Sequence, residues 1–432
     1  MDHPDVVFPP ARGICHGRRV SQTLRTRPRA AGAVLTGLGG MLGAGVFAGL
    51  APAAAPAGGW FLVGTVVAAL VAGCVTTAVS YRARAVPELD GDQHLREQLG
   101  AWPARMSGSA QLLGRAAGLA AVAGTVGEYL APEYRVPVAV GLVALVTAVD
   151  AAGLALNGAW RWVPALGVLA VLGVMVAVCF GAAPPPAAPV PPGLPGADDP
   201  SGIAGAAGVM FFAFLGFERI TGATAGERRA ARWPAPVVLP VLLGVPLAGY
   251  LAVGFGAYHQ LGGARLALSP VPLRDALAAA DAAPLAPLVN LGVLLAATGV
   301  LPVVLAGARR AVAAVARAGD LPEVVVRPGA AGTPWRASVL AGAAGAVAAV
   351  LLPPAAAIPL AACGMLFHSA FACAAARLAL LDTPGLPARL ACAGMALCVV
   401  VAMSLPVPAL LVTAVAVALG TGGCALAARG GR

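Results

Sequence analysis

Two glycine-interrupted apolar stretches hold the residues whose types and spacing suit chemistry. The first is GGMLGAGVFAG, Gly39 to Gly49, inside an apolar run from Ala30 to Pro56 that is long enough to cross a bilayer. The second is FFAFLGFERITGATAGE, Phe211 to Glu227, which contains Gly216 and Gly222 and the charges of Glu218 and Arg219. Glycine costs a helix interior about 1 kcal/mol relative to alanine. Inside a bilayer, broken backbone persists only where protein or water satisfies the freed N–H and C=O groups. Each stretch is therefore expected to be a discontinuous helix whose exposed peptide groups line a binding site. Half-helix N-termini would present N–H donors to an anionic group, and unwound carbonyls would receive a cationic one. A zwitterionic α-amino acid carries both charges a short distance apart. Selectivity for the rest of such a molecule would come from Phe212, Phe214 and Phe217, although phenylalanines at this spacing also serve as plain core. For the glycines the plainer alternative is close helix packing through small residues; recurrence of the pattern argues against it.

Glu218 and Arg219 stand in mid-membrane sequence, where an ionisable residue costs about 2.5–3.5 kcal/mol and marks a functional candidate. The structural alternative is an internal pair, or an Arg219 that reaches the interface along its aliphatic stem.

The elements that must position these residues are membrane helices. The chain is 59% hydrophobic and only 11% charged, with a mean hydropathy of +0.86, whereas soluble domains carry roughly a quarter charged residues. Apolar stretches of the ~20 residues needed to cross a bilayer recur throughout. They fall at 30–56, 58–81, 103–131, 136–154, 162–182, 202–225, 235–257, 286–308, 335–353, 355–377, 389–405 and 407–428, about twelve spans in an all-α membrane protein. The joint at Pro353–Pro354 is the one place where two helices can also be read as one. A polar, arginine-rich tail over 1–29 precedes them and reads as disordered and cytoplasmic. It lacks the apolar segment and small-residue site of a cleaved signal peptide.

The net charge of +10 is explained by topology and gives no reason to expect nucleic-acid binding. All 28 basic residues are arginine. With the N-terminus inside, Arg82, Arg84, Arg96, Arg105, Arg161, Arg228, Arg229, Arg232, Arg309, Arg310, Arg317, Arg327, Arg336, Arg377, Arg389, Arg429 and Arg432 fall on cytoplasmic segments. Only Arg135, Arg265 and Arg274 fall outside, as the positive-inside rule requires. Both termini are expected in the cytoplasm of a multi-pass protein of the inner membrane. The eight cysteines form no C-x-x-C pair and the five histidines are scattered, a pattern of buried thiols with no metal site or disulfide framework. Between spans five and six, residues 183–201 form a Pro-rich extracellular loop. The external connection from Tyr258 to Pro284 contains LALSPVPLRDAL, a candidate short helix over the entrance. Val86 to Gly100 reads as an amphipathic segment along the cytoplasmic face.

The two broken segments lie in spans one and six, at corresponding positions of two five-helix halves, 30–182 and 202–380. This is the arrangement that points to an inverted-repeat transporter, with residues 381–432 supplying helices eleven and twelve and a short cytoplasmic C-terminus. The chain here resembles the amino acid–polyamine–organocation superfamily, in its group of bacterial amino acid permeases with the leucine-transporter fold. GGMLGAGVFAG is similar to that family's first-helix G-x-G-[IV]-F signature, and FFAFLGFERITGATAGE to its sixth-helix F-F-A-F-x-G-[FY] signature. HLREQLG (His94 to Gly100), RRAVAAVARAGDLP (Arg309 to Pro322) and GTPWRASVLAG (Gly332 to Gly342) resemble three loop motifs of the family, in the family's order.

The resemblance implies a 5+5 inverted repeat with helices one and six broken. It implies that the backbone of Gly43, Ala44 and Gly45 binds a substrate carboxylate, and that carbonyls of Phe212, Ala213, Phe214 and Leu215 bind the amino group. Helices one, two, six and seven would rock against a scaffold of three, four, eight and nine. Glu227 and Arg309 would sit at a cytoplasmic gate, with Glu218 and Arg219 as further coupling or gating candidates. The chain departs from the family in having no lysine, so coupling through a helix-five lysine is unavailable; Arg161 stands only at the start of that span. The motif after the sixth helix is shortened to RRAARWP. His368 in span ten is a candidate proton carrier, because imidazole titrates near physiological pH.

These features describe a secondary transporter of amino acids or related amines, proton-linked or exchanging, with no cofactor. Its partners are the small-molecule substrate, protons as the candidate coupling ion, and the lipid bilayer. Its oligomeric state is not specified. No phosphate-binding loop, metal triad or nucleophile–base pair points to an enzyme. The alternative is a non-transporting sensor or partner subunit that keeps the permease fold.

Overall fold

The computed structural model describes residues 41, 43–86, 89–154, 162–186, 191, 193–217, 235–329, 332–381 and 385–430, and all regular structure among them is helical. Helix α1 (Ala44–Ala57) turns into α2 (Phe61–Ala85) at Gly58, whose φ of 53° suits glycine. The short α3 (Gly91–Leu99) begins with a capping box formed by Asp90 and Gln93, which satisfies two N-terminal backbone donors reciprocally. Three long helices follow: α4 (Ala101–Leu130), α5 (Arg135–Ala151) and α6 (Trp162–Gly181). After the Pro-rich connection, α7 (Ile203–Phe211) passes into a 3-10 segment, Phe212–Phe217. The remaining helices are α8 (Ala235–Leu268), α9 (Pro272–Ala279), α10 (Ala286–Arg317), α11 (Trp335–Leu351), α12 (Pro354–Ala379), α13 (Leu386–Met403) and α14 (Val407–Gly430).

A helix lies on each predicted span, and 7 helical stretches among the described residues are long and apolar enough on their own to cross a membrane. Leu145 on α5, Leu166 on α6, Val347 on α11, Val400 on α13 and Leu419 on α14 point outward, each more than half exposed. Apolar surface spread over so many helices is foreign to a soluble monomer and matches a lipid-facing exterior. The joint at Pro353 resolves as a real break: Leu352 and Pro353 are extended and Pro354 opens α12. Two boundaries differ from expectation: α10 runs past 308 to Arg317, and α8 outruns its span. The seventh predicted span ends at 257, but α8 continues to Leu268 through a bend at Gly262 (φ 67°). Gln260, polar enough to suggest a loop, is buried there and donates to the carbonyls of Cys179 (2.7 Å) and Ala182 (3.0 Å) at the end of α6. The predicted short helix over the entrance is α9.

The packing falls into two groups. Helices α1, α2, α7 and α8 pack on one another, and α4, α5, α10 and α11 pack on one another, with α12 touching both α4 and α2. The arginine-rich connections around α3 and between α10 and α11 meet where Arg96 and Arg105 bind Asp320, here called the basic end. The α1–α2 turn, α9 and the α11–α12 joint lie at the other.

Candidate functional site

The two interrupted segments meet in the interior. Helix α1 follows a turn at Gly43, and α7 tightens at Phe212 into 6 residues of 3-10 helix; such runs seldom exceed 3–4 residues and often mark a hinge. Between them stands Tyr250 of α8, only 1% exposed. Its hydroxyl donates to the Ala213 carbonyl oxygen (2.9 Å) and reaches that of Met41, one proton serving both. Phe214 packs edge-on against the Tyr250 ring with centroids 5.3 Å apart. A Cβ at Gly45 would lie 1.9 Å from Ala213 Cβ, and one at Gly43 would lie 2.6 Å from Ala296 Cβ on α10. Both glycines are thus required by close approach: Gly45 seats α1 on the 3-10 segment, and Gly43 seats it on α10.

Towards the end away from the basic residues, a cavity of ≈ 620 Å³ opens over this junction, with Ala48, Pro52, Thr125, Glu128, Val209 and Pro359 among its walls. Glu128 is its one charged side chain among the described residues. Pro52 and Pro359 each remove the N–H that would bond the carbonyl four residues back, at Ala48 and Ala355, both also in the wall. Deeper in, a second space of ≈ 10 Å³ shares Ala48 and Thr125 with the cavity and touches Gly43. That is room for about one water. In this conformation the chamber is open above and the backbone junction below it is shut.

Of the residues singled out from sequence, Gly43, Gly45, Phe212, Ala213 and Phe214 come together here. Ala44 contributes the first residue of α1, and Leu215 and Phe217 lie in the 3-10 segment. Glu218, Arg219 and Glu227 lie outside the described residues. Arg309 is at the basic end of α10, 3.4 Å from Asp150 of α5, whose carboxylate also accepts from Ser338 of α11 at 2.7 Å. It therefore ties together three helices of one packing group.

Three residues that sequence reasoning passed over are prominent. Tyr250 gave no signal, being one aromatic in an apolar span. Arg115, in mid-α4 and 4% exposed, did give one, since a charge inside an apolar run is rare by default. Gly307 on α10 makes room for it: a Cβ there would meet the guanidinium at 2.2 Å. Asp320, 1% exposed, accepts from Arg96 of α3 (2.7 Å) and from Arg105 of α4 (2.7 and 3.0 Å). Burial works against its charge, but the hydrogen bonds from Arg105 and Arg96 outweigh it and hold the carboxyl below its usual range. At the opposite end Asp198 accepts from the Gly59 amide (2.6 Å) and from Tyr258 (3.2 Å), fastening the Pro-rich loop to the α1–α2 turn and α8.

Fold and site together describe a polytopic helical membrane protein with a chamber over the start of α1 and the 3-10 segment after α7. No family model matches the chain. It is 37% identical to the uncharacterized transporter Rv1999c of Mycobacterium tuberculosis (strain H37Rv), over 95% of this chain and 93% of that protein. It is similar to the same extent to the uncharacterized transporter Mb2022c of Mycobacterium bovis. The chain belongs to the family of these mycobacterial transporters.

Proposed function

We propose that the protein is a secondary transporter of the amino acid–polyamine–organocation type. It would carry an amino acid or related amine across the cytoplasmic membrane by alternating access, proton-linked or in exchange. The single observation that carries this is the junction of Gly45, Ala213 and Tyr250 beneath the chamber. Peptide groups of two interrupted helices converge there, and one hydroxyl holds carbonyls of both. Carbonyls in such a place suit an ammonium group, and the helix start at Gly43–Gly45 suits a carboxylate. The Tyr250 hydroxyl would stand in for the ammonium until substrate arrives. Glu128 would attract a cationic group into a chamber otherwise lined by apolar and hydroxyl side chains.

In this proposal there are twelve crossings with both termini inside and an inverted repeat relating 30–182 to 202–380. Helices α1, α2, α7 and α8 rock as a body on α4, α5, α10 and α11, in keeping with the two packing groups. Glu218, Arg219, Glu227 and Arg309 act in coupling or at the inner gate.

Equilibrium binding of radiolabelled amino acids and polyamines to purified protein tests the site. One class should bind. Gly45→Leu, whose side chain would occupy the junction, should abolish binding while the protein remains folded, and Glu218→Gln should alter it. Binding that survives Gly45→Leu unchanged would place the site elsewhere.

A further inference from the structure

We infer that His368 is a proton-binding site built into the crossing of α4 and α12, and that it supplies the coupling proton of the transporter proposed above, on which this coupling role rests. The two helices approach closely because small residues face each other. A Cβ at Gly364 would lie 2.6 Å from the Ala110 carbonyl oxygen, and one at Gly114 would lie 2.9 Å from Met365 Cγ. Ser107, Gln111 and Gly114 share one face of α4, at positions i, i+4 and i+7, and His368 follows Gly364 by one turn of α12. The glycine contact thus brings the imidazole between two polar side chains. Ser107 Oγ lies 2.9 Å from Nδ1, and the Gln111 amide nitrogen lies 3.2 Å from Nε2.

With the Gln111 amide nitrogen turned toward the ring, one tautomer fits. Since the amide donates to Nε2, that nitrogen has its lone pair free to accept, and Nδ1 carries the proton and donates to Ser107. The ring is neutral. The Gln111 Oε1 atom is meanwhile buried with no hydrogen-bond partner, a costly condition for an amide oxygen. Turning the amide by half a rotation brings Oε1 to the same imidazole nitrogen. A proton delivered by hydronium, which leaves as water, then bonds to Nε2, the ring becomes imidazolium, and both N–H groups have acceptors. No other covalent bond forms or breaks, and the site gains one positive charge, which it loses when the proton leaves. One side-chain rotation therefore accommodates both states.

Among the described residues, the charged groups within electrostatic reach of the ring are Asp92 on α3 and Arg115 on α4. Arg115 is a fixed cation, so the added charge is opposed from one side and favoured by Asp92 on the other. A shift of α12 relative to either residue would change how tightly the proton is held.

Nuclear magnetic resonance of protein labelled with ¹⁵N-histidine in lipid vesicles reads the ring directly, by difference from His368→Gln. The His368 signal should be a neutral Nδ1–H tautomer at high pH and gain a second proton as the pH is lowered. Gln111→Met, which keeps the bulk and loses the acceptor, should move that transition to lower pH. In proteoliposomes His368→Gln should lose accumulation driven by a proton gradient and retain exchange of internal for external substrate. A ring that stays neutral throughout, or a His368→Gln variant that accumulates substrate as the unaltered protein does, would overturn the inference. If His368 and Gln111 titrate together but no amino acid or amine is transported by the unaltered protein, the proton site stands and the substrate assignment falls.

Discussion

At the scale of single residues, Tyr250 is the side chain on which the entry to α1 and the 3-10 segment after α7 converge. Its hydroxyl serves carbonyls 37 and 209 positions away in the chain. Tyr250→Phe keeps the ring against Phe214 but leaves those carbonyls without their donor, which is expected to cost about 1–3 kcal/mol. Thermal unfolding in detergent should show a lower transition for Tyr250→Phe, and bound substrate should recover part of the loss by occupying the same carbonyls. An unchanged transition would mean that the hydroxyl is dispensable to the junction. The glycines of this site are legible in sequence because glycine within an apolar run is a local anomaly with a local cost. Tyr250 is not, because a buried aromatic looks the same whether or not its hydroxyl has work, and its partners are distant in the chain. Arg115 was legible in principle, as a charge inside a span. Its neighbour Gly307 was not, since only the packed structure shows which glycine faces a guanidinium.

At the scale of elements, the basic end is held by Asp320, which joins the connection after α10 to α3 and α4. A carboxyl whose folded pKa lies below its unfolded value contributes stability above about pH 4, and that contribution is lost as pH falls through the folded value. His94, 1% exposed on α3, is pushed below its ordinary value by burial, against the hydrogen bond of its Nε2 to the Ala375 carbonyl (3.3 Å). A histidine lowered in this way contributes fully above about pH 6.5 and loses its contribution on acidification. Both slopes have the same sign. Stability should therefore fall below about pH 6.5 and again below about pH 4. Asp320→Asn should lower stability at neutral pH by about 3–5 kcal/mol, by leaving two guanidiniums facing a neutral amide, and should erase the lower step. Unfolding curves of the two proteins at pH 7, pH 4 and pH 2 decide it; parallel loss in both between pH 4 and pH 2 would remove Asp320 from the explanation. Helix positions were readable from apolar length, and the α11–α12 break from its adjacent prolines. The length of α8 was not, because His259 and Gln260 imitate a loop, whereas Gln260 caps α6 from inside the protein.

At the scale of the whole molecule, apolar side chains face outward on α5, α6, α11, α13 and α14, while the polar work is confined to the interior and the two ends. The chamber opens at one end and the Asp320 cluster fastens the other. Such an asymmetry suits a molecule that exposes its site to one compartment at a time. The membrane class was written in composition, which needs no knowledge of contacts. The chamber was not, because its walls are drawn from helices far apart in sequence and its residues, apart from Glu128, are ordinary apolar and small ones. The most direct measurement is uptake of radiolabelled amino acids and polyamines into proteoliposomes, with and without an inward proton gradient, beside Gly45→Leu. Accumulation of one substrate class, increased by the gradient and absent in the variant, is the predicted result. Folded protein that binds the substrate but moves none of it in any condition, including exchange, would contradict transport and leave a sensor with a permease fold.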